Sequence, residues 1–291
     1  MPDQLDLEQF TLSHAARSFI AATSTESGEH IKPLHRYLGV RLVVEGGFLP
    51  EELSPSPPLK SEYRRNAWYL SFDSSAGNEK EQIVLGALKS KRIDLVLAKN
   101  GIGPVLAISV KGTSKAFRNL VNRTEEAIGD CANIHIMYPG LVYGFVHFLR
   151  VTDSSDSTLK SNDILLDKKG AVIAAVKDYS RILEGLSGRV LVRNDYSRYE
   201  SVALALLKAS PRGGPSPLFT GFPGPSSPLL LDAFFQNLYR VYDLRFPYTY
   251  SDPGARLLSR IRWHRDSPFL KSMYKKESTR RSFEYESRTD D

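Results

Sequence analysis

The 291-residue chain predicts an α/β architecture, a central mixed sheet flanked by helices on both faces. Three observations carry this. Two short runs rich in Val, Ile and Leu, residues 91 to 99 and 104 to 112, flank Asn100-Gly101-Ile102-Gly103 and read as a hairpin of buried strands. Immediately afterwards the apolar period changes, with Phe117, Leu120, Val121, Thr124, Ala127, Ile128, Cys131 and Ile134 recurring at helical spacing. A strand pattern then returns at 141 to 151, so a helix connects two strands.

The remaining elements follow in order. Residues 1 to 22 place Leu5, Phe10, Leu12, Ala15, Ala16, Phe19 and Ile20 on one helical stripe. A second helix is expected from an N-cap at Ser27 to about Leu38, closed by Gly39, with its regular part starting near Lys32 because of Pro33. Residues 40 to 45 read as a strand, and the Pro- and Ser-rich stretch 50 to 61 as a surface loop. Short strands are expected at 69 to 72 and 82 to 88. Pro139 ends the helix of 114 to 136, and a Ser/Asp loop covers 152 to 163. A helix at 171 to 186, closed by Gly188, precedes apolar segments at 190 to 192 and 202 to 207. Residues 209 to 229 form a Pro-, Gly- and Ser-rich connection to a helix at 231 to 241. The chain thus divides into a core with an N-terminal helical extension, 1 to 208, and a connection with a basic C-terminal region, 209 to 291.

Composition narrows the function. A hydrophobic fraction of 41% and a charged fraction of 25% are ordinary for a globular protein. The one cysteine, Cys131, excludes an intrachain disulfide framework and reads as a small buried residue in a reducing compartment. No run of 18 apolar residues and no signal pattern is present, which predicts a soluble, intracellular protein without membrane association. A net charge of +6 leans mildly towards a polyanionic partner. Residues 255 to 291 add ten Lys or Arg against six Asp or Glu, with Trp263, His264, Phe269 and Tyr274 interleaved. That segment suits nucleic acid or a solvated tail. The six histidines form no close metal-binding pair, and no phosphate-binding glycine loop appears.

The chemistry concentrates on the hairpin. With residues 100 to 103 as its loop, Lys99 faces Pro104 and Asp94 comes opposite Ser109, on the face that Ser109 shares with Lys111. A carboxylate, a hydroxyl and an ammonium converging in an apolar sheet are costly unless they pair or hold a metal. Fourteen residues beyond Lys111, Glu125 lies on a helical stripe with Arg118, Asn122 and Gly129. A helix folded back over the sheet brings Glu125 towards Asp94, and both are hard oxygen ligands suited to Mg²⁺ or Mn²⁺. Lys111 can then hold, orient or deprotonate an attacking water. Glu126 points roughly 100° away from Glu125 on the helix and takes its role if the helix is rotated. Lys115, Arg118, Asn119, Asn122 and Arg123 cluster nearby and offer contacts to phosphate and base edges, or else a plain solvated helix face.

Asp94, then Ser109-Val110-Lys111 on the next strand, then a helix, resembles the PD-(D/E)XK nuclease core over roughly residues 27 to 150. Ser109 stands where the family usually has an acid. It is similar in this to type II restriction endonucleases that cut sites with a CCGG or CCNGG core, where Ser-X-Lys is joined by a glutamate fourteen residues beyond the lysine. The resemblance implies a restriction-endonuclease-like fold and a Mg²⁺-dependent endodeoxyribonuclease of the type II restriction class, with Mn²⁺ able to substitute. It implies that Asp94 and Glu125 bind the metal beside Val110, that Lys111 assists the water, and that Ser109 marks the vacated acidic position. It also implies a homodimer acting on double-stranded DNA in a prokaryotic cytoplasm. The superfamily often places a glutamate on the first core helix, and Glu29 is the candidate here, its alternative being a helix N-terminal charge. Two other readings use the same residues: a non-catalytic or repair-type DNA-binding protein, and a hydrolase with Ser109 as nucleophile and Lys111 as base.

Overall fold

The computed structural model describes residues 6–22, 28–155, 157–193, 195–209, 216–247, 258–275 and 283–290, apart from the Arg118 side chain. Leu5, the Ser27 cap, the Arg118 side chain and parts of the expected 209 to 229 connection and C-terminal region lie outside the described residues.

A 3-10 turn at Leu7–Phe10 replaces the first part of the helix expected over 1 to 22, and two packed helices follow, α1 (Leu12–Ala21) and α2 (Lys32–Val44). Strands β1 (Leu53–Ser54), β2 (Leu59–Arg64), β3 (Ala67–Phe72), β4 (Gln82–Val84), β5 (Lys91–Ile93), β6 (Leu95–Lys99) and β7 (Gly103–Thr113) follow. Then come α3 (Leu120–Met137), β8 (Val142–Arg150), α4 (Ala174–Gly185), β9 (Ser201–Leu207), α5 (Leu231–Arg245) and α6 (Pro268–Tyr274). The central sheet has the order β1-β6-β7-β8-β9. Its first three strands are antiparallel, and β7, β8 and β9 are parallel. Parallel neighbours need crossovers, which α3 supplies between β7 and β8, and α4 between β8 and β9. The fold is therefore α/β, a mixed sheet flanked by helices. Small two-stranded sheets, β2–β3 and β4–β5, lie outside it.

Both faces are covered. Tyr143, Phe145, Val202 and Leu204 pack with α3 and α4. Leu106, Ile108, Val146 and Ala203 pack with α1, α2 and α5 on the other side. This explains why β9, Ser-Val-Ala-Leu-Ala-Leu-Leu, is buried at every residue and shows no polar alternation.

Several boundaries differ from expectation. The stretch 40 to 45 continues α2 to Val44 instead of forming a strand. Gly39 does not end the helix; its bare Cα lets Leu95 of β6 approach, and a Cβ there would meet the Leu95 side chain at 3.2 Å. Part of the expected 50 to 61 loop is ordered into β1 and β2, because Leu53 pairs with Leu97 and Leu59 with Phe72. The expected strand 91 to 99 is broken at Asp94 into β5 and β6.

The C-terminal stretch joins the same core. Helix α5 packs on β8 and β9, and Phe234, Leu238, Trp263, Phe269 and Met273 belong to one buried cluster with Leu38 and Leu106. Trp263 is fully buried and its indole N–H donates to the Val43 carbonyl at 2.8 Å. Trp263 and Phe269 are thus core residues, neither stacking platforms for bases nor parts of a solvated tail. Cys131 is a buried free thiol. Among the described residues, no helix is long and apolar enough to cross a membrane.

Candidate metal centre at the end of strand β6

The hairpin β6–β7 takes its turn from Gly101 and Gly103, at φ of 75° and 94°, so it closes one residue tighter than expected, with Lys99 opposite Gly103. A bulge between Leu97 and Ala98 then shifts the ladder, and Leu95 opposes Ile108. Continued one step, that register would set Asp94 opposite Ser109, as expected, but the paired ladder stops at Leu95 and Asp94 lies in the bend between β5 and β6.

The side chains nevertheless diverge. Ile93 packs on the α3 face and Leu95 on the α2 face, so the chain turns at Asp94 instead of alternating through it. The Asp94 carboxylate lies at the sheet edge, where its Oδ2 accepts the Val110 backbone N–H at 2.7 Å. It caps β7 where β6 stops. Burial pushes the Asp94 carboxyl up to about 6, against the Val110 N–H and Lys111, which pull it down. Ser109 is buried, and its hydroxyl meets the Tyr143 hydroxyl at 2.7 Å. With Lys111 engaged elsewhere, no Ser–Lys couple forms.

Lys111 pairs with Glu126, Nζ to Oε1 at 3.3 Å, and its ammonium holds the Glu126 carboxyl below the usual range. The glutamate of α3 that reaches the Lys111 end of the hairpin is therefore Glu126, not the Glu125 expected to approach Asp94. On α3 the stripe Thr124, Ala127, Cys131 and Ile134 is buried. Glu125 and Glu126 leave that stripe on opposite sides, about 100° apart. The Glu126 side also carries Asp130, which binds Lys91 of β5. That flank faces the hairpin, and Glu125 is exposed on the other.

Glu29 sits in the turn before α2, exposed and 2.6 Å from Lys32. Lys115, Asn119, Asn122 and Arg123 are all exposed along the turn from β7 and the opening of α3. Ala116 makes that turn in the left-handed region, φ 60°, and donates its N–H to Asp163.

From α2 the structure adds a group that the sequence reading missed. His35 is 4% exposed; its Nε2 lies 3.7 Å from Asp94 Oδ1 and its Nδ1 lies 3.7 Å from Glu81 Oε1. His35, Glu81 and Asp94 each offer a ligand atom within 4.8 Å of the others. Burial drives the imidazole down to about 4, so it is neutral at physiological pH. A cleft of about 280 Å³ includes His35 and Glu81 in its lining, with Lys32, Arg36, Pro57 and Asn78. The donors fit a divalent ion: two carboxylates supply hard oxygens and the neutral ring supplies nitrogen.

No known protein family, no curated protein and no solved structure matches the chain. The site therefore rests on its own chemistry.

Of the missed residues, His35 carried one weak signal. It recurs at helical spacing with Leu38 and Leu42 on the buried side of α2, where a polar side chain must be satisfied or used. Glu81, in the polar stretch 78 to 82, carried none.

Proposed function

We propose that the protein is a Mg²⁺- or Mn²⁺-dependent endodeoxyribonuclease acting on double-stranded DNA, with the PD-(D/E)XK arrangement as its chemical plan and a restriction-type activity as its role. The observation that supports this most is the meeting, where β6 ends, of the Asp94 carboxylate, the Val110 backbone and Lys111 with its glutamate from α3. A bound divalent ion supplies charge neutralisation at the scissile phosphate and activation of water.

The chain's own groups supply the rest. Asp94 offers the ion a carboxylate already oriented by the Val110 N–H. In an extended strand the Val110 carbonyl leaves on the same edge as that N–H, which brings a second oxygen to the site. Lys111 orients the attacking water and balances phosphate charge, and Glu126 keeps its ammonium over the sheet edge. Lys115, Asn119, Asn122 and Arg123 contact the DNA backbone and base edges beside the reacting phosphate. Cleavage of both strands of a palindrome calls for two copies related by a twofold axis, so the active species is a homodimer.

The test is incubation of the purified protein with long DNA and Mg²⁺ or Mn²⁺, with an EDTA control, followed by sequencing of the fragment ends. Discrete ends support the restriction role, and random ends point to a repair or degradative nuclease. Cleavage that survives in Asp94→Ala and Lys111→Ala, or that is absent with either ion, removes the proposal.

A further inference from the structure

His35 presents a buried imidazole nitrogen with no hydrogen-bond partner among the described residues. Its Nε2 is unbonded, its side chain is 5% exposed, and Asp94 Oδ1 lies 3.7 Å away. On its other edge Nδ1 faces Glu81, also at 3.7 Å. Both separations exceed hydrogen-bond length, so the ring is wedged between two carboxylates without bonding to either. A buried polar atom left this way costs about 1–3 kcal/mol unless something else satisfies it.

We infer that His35, Glu81 and Asp94 form one cation site, and that the imidazole makes it select Mn²⁺ over Mg²⁺. Metal–ligand bonds of about 2.1 Å place opposite ligands about 4.2 Å apart. Three ligand atoms within 4.8 Å of one another lie no more than about 2.8 Å from a common point, so closure to bonds of about 2.1 Å takes less than about 0.7 Å each. Helix α2 is anchored against β6 through Gly39 and Leu95, which holds His35 over the strand that ends at Asp94. Glu81 arrives from the loop before β4, whose partner β5 leads directly into Asp94. Mg²⁺ takes oxygen and gives up its waters reluctantly, whereas Mn²⁺ accepts oxygen and imidazole nitrogen together. This deepens the nuclease reading and rests on it only for the use made of the ion.

The experiment measures ion binding directly on the metal-free chain of residues 1 to 291. Mn²⁺ is titrated by electron paramagnetic resonance of the free ion, and Mg²⁺ by competition against it. In the wild type Mn²⁺ binds at least about tenfold more tightly than Mg²⁺, and His35→Gln loses at least about tenfold in Mn²⁺ affinity with a smaller change for Mg²⁺. Glu81→Gln weakens both ions. Circular dichroism and the melting temperature of each variant identify a folding failure, and Glu81→Gln, on an exterior loop, gives an independent reading if His35→Gln does not fold. Mn²⁺ affinity unchanged in the folded variants, or no Mn²⁺ binding to the wild type, overturns the assignment and leaves a solvent-bridged cluster in its place. DNA cleavage is followed in parallel. A wild type that binds Mn²⁺ through His35 yet never cuts DNA removes the nuclease reading and keeps the cation site. A wild type that cuts while His35→Gln binds Mn²⁺ normally does the reverse.

Discussion

The Asp94 carboxylate accepts the Val110 backbone N–H at 2.7 Å, so a side chain replaces the ladder bond that β6 would make one residue further on. The same bond aims the acid of one strand at the Lys111 end of the next.

That placement has a pH consequence in metal-free protein. The folded Asp94 carboxyl titrates at about 6, above its ordinary value of 3.8. A raised carboxyl favours the fold below the ordinary value, and the advantage disappears as pH rises through about 6. Asp94→Asn cannot ionise, so in EDTA at pH 7 it is more stable than wild type by on the order of 1–3 kcal/mol. Thermal melts show an increase of a few degrees at pH 7 that vanishes near pH 3.5. Equal melting temperatures at pH 7 contradict the assigned environment.

Lys111 and the two adjacent glutamates separate by activity. On the nuclease reading, Lys111→Ala retains DNA binding and loses cleavage by about 10²-fold or more. Glu126→Gln releases Lys111 and slows cleavage, and Glu125→Gln, exposed on the other flank of α3, has little effect. Single-turnover cleavage beside a filter-binding measurement reads both. Greater sensitivity at Glu125 means that α3 turns its other flank to the site in the DNA complex.

The exposed cations near the start of α3 predict a salt effect. Lys115→Ala and Arg123→Ala each reduce the slope of log affinity against log salt by about 1 if each neutralises a phosphate. Titrations of duplex DNA between low and physiological salt check this. Unchanged slopes move the DNA to another face.

His147 sets an acid limit that is independent of metal. It is fully buried between the Thr113 hydroxyl at 2.9 Å and the Tyr179 hydroxyl at 2.6 Å, and burial drives it down to about 3. An unfolded chain takes up this proton near pH 6.5 and the folded one does not. Its contribution is therefore complete above pH 6.5 and falls by about 1.4 kcal/mol per unit towards pH 3. Denaturant unfolding from pH 7 to 4 shows a slope shallower by about one proton in His147→Gln; equal slopes contradict the neutral, buried ring.

Glu200 supports the sheet beneath Ser109. Fully buried, it accepts the Tyr143 N–H at 2.6 Å and pairs with Arg189, Arg245 and His135. Glu200→Gln leaves buried guanidinium charge uncompensated and destabilises by about 3–5 kcal/mol. A urea-unfolding midpoint within error of wild type shows the network to be dispensable.

Local pattern was enough to read much of this molecule. The switch from strand to helix period after residue 113, the Gly101 and Gly103 turn and Pro139 after α3 all follow from nearest neighbours along the chain. Trp263 and Phe269 read as aromatic residues of a nucleic-acid-binding or solvated segment because their partners, Leu38, Val43 and Leu106, lie more than a hundred residues away. Gly39 read as a helix stop because the Leu95 side chain that fills its space comes from another element.

The composition of the hairpin and of α3, and with it an acid, a lysine and glutamates near one sheet edge, was settled by residue order alone, since strand and helix periods are local properties. Which glutamate reaches Lys111 depended on how α3 rolls on the sheet, a matter of packing Thr124, Ala127 and Cys131. The meeting of His35, Glu81 and Asp94 was decided only by folding, because three elements with no mutual spacing rule are brought within 4.8 Å by burial of the surfaces around them.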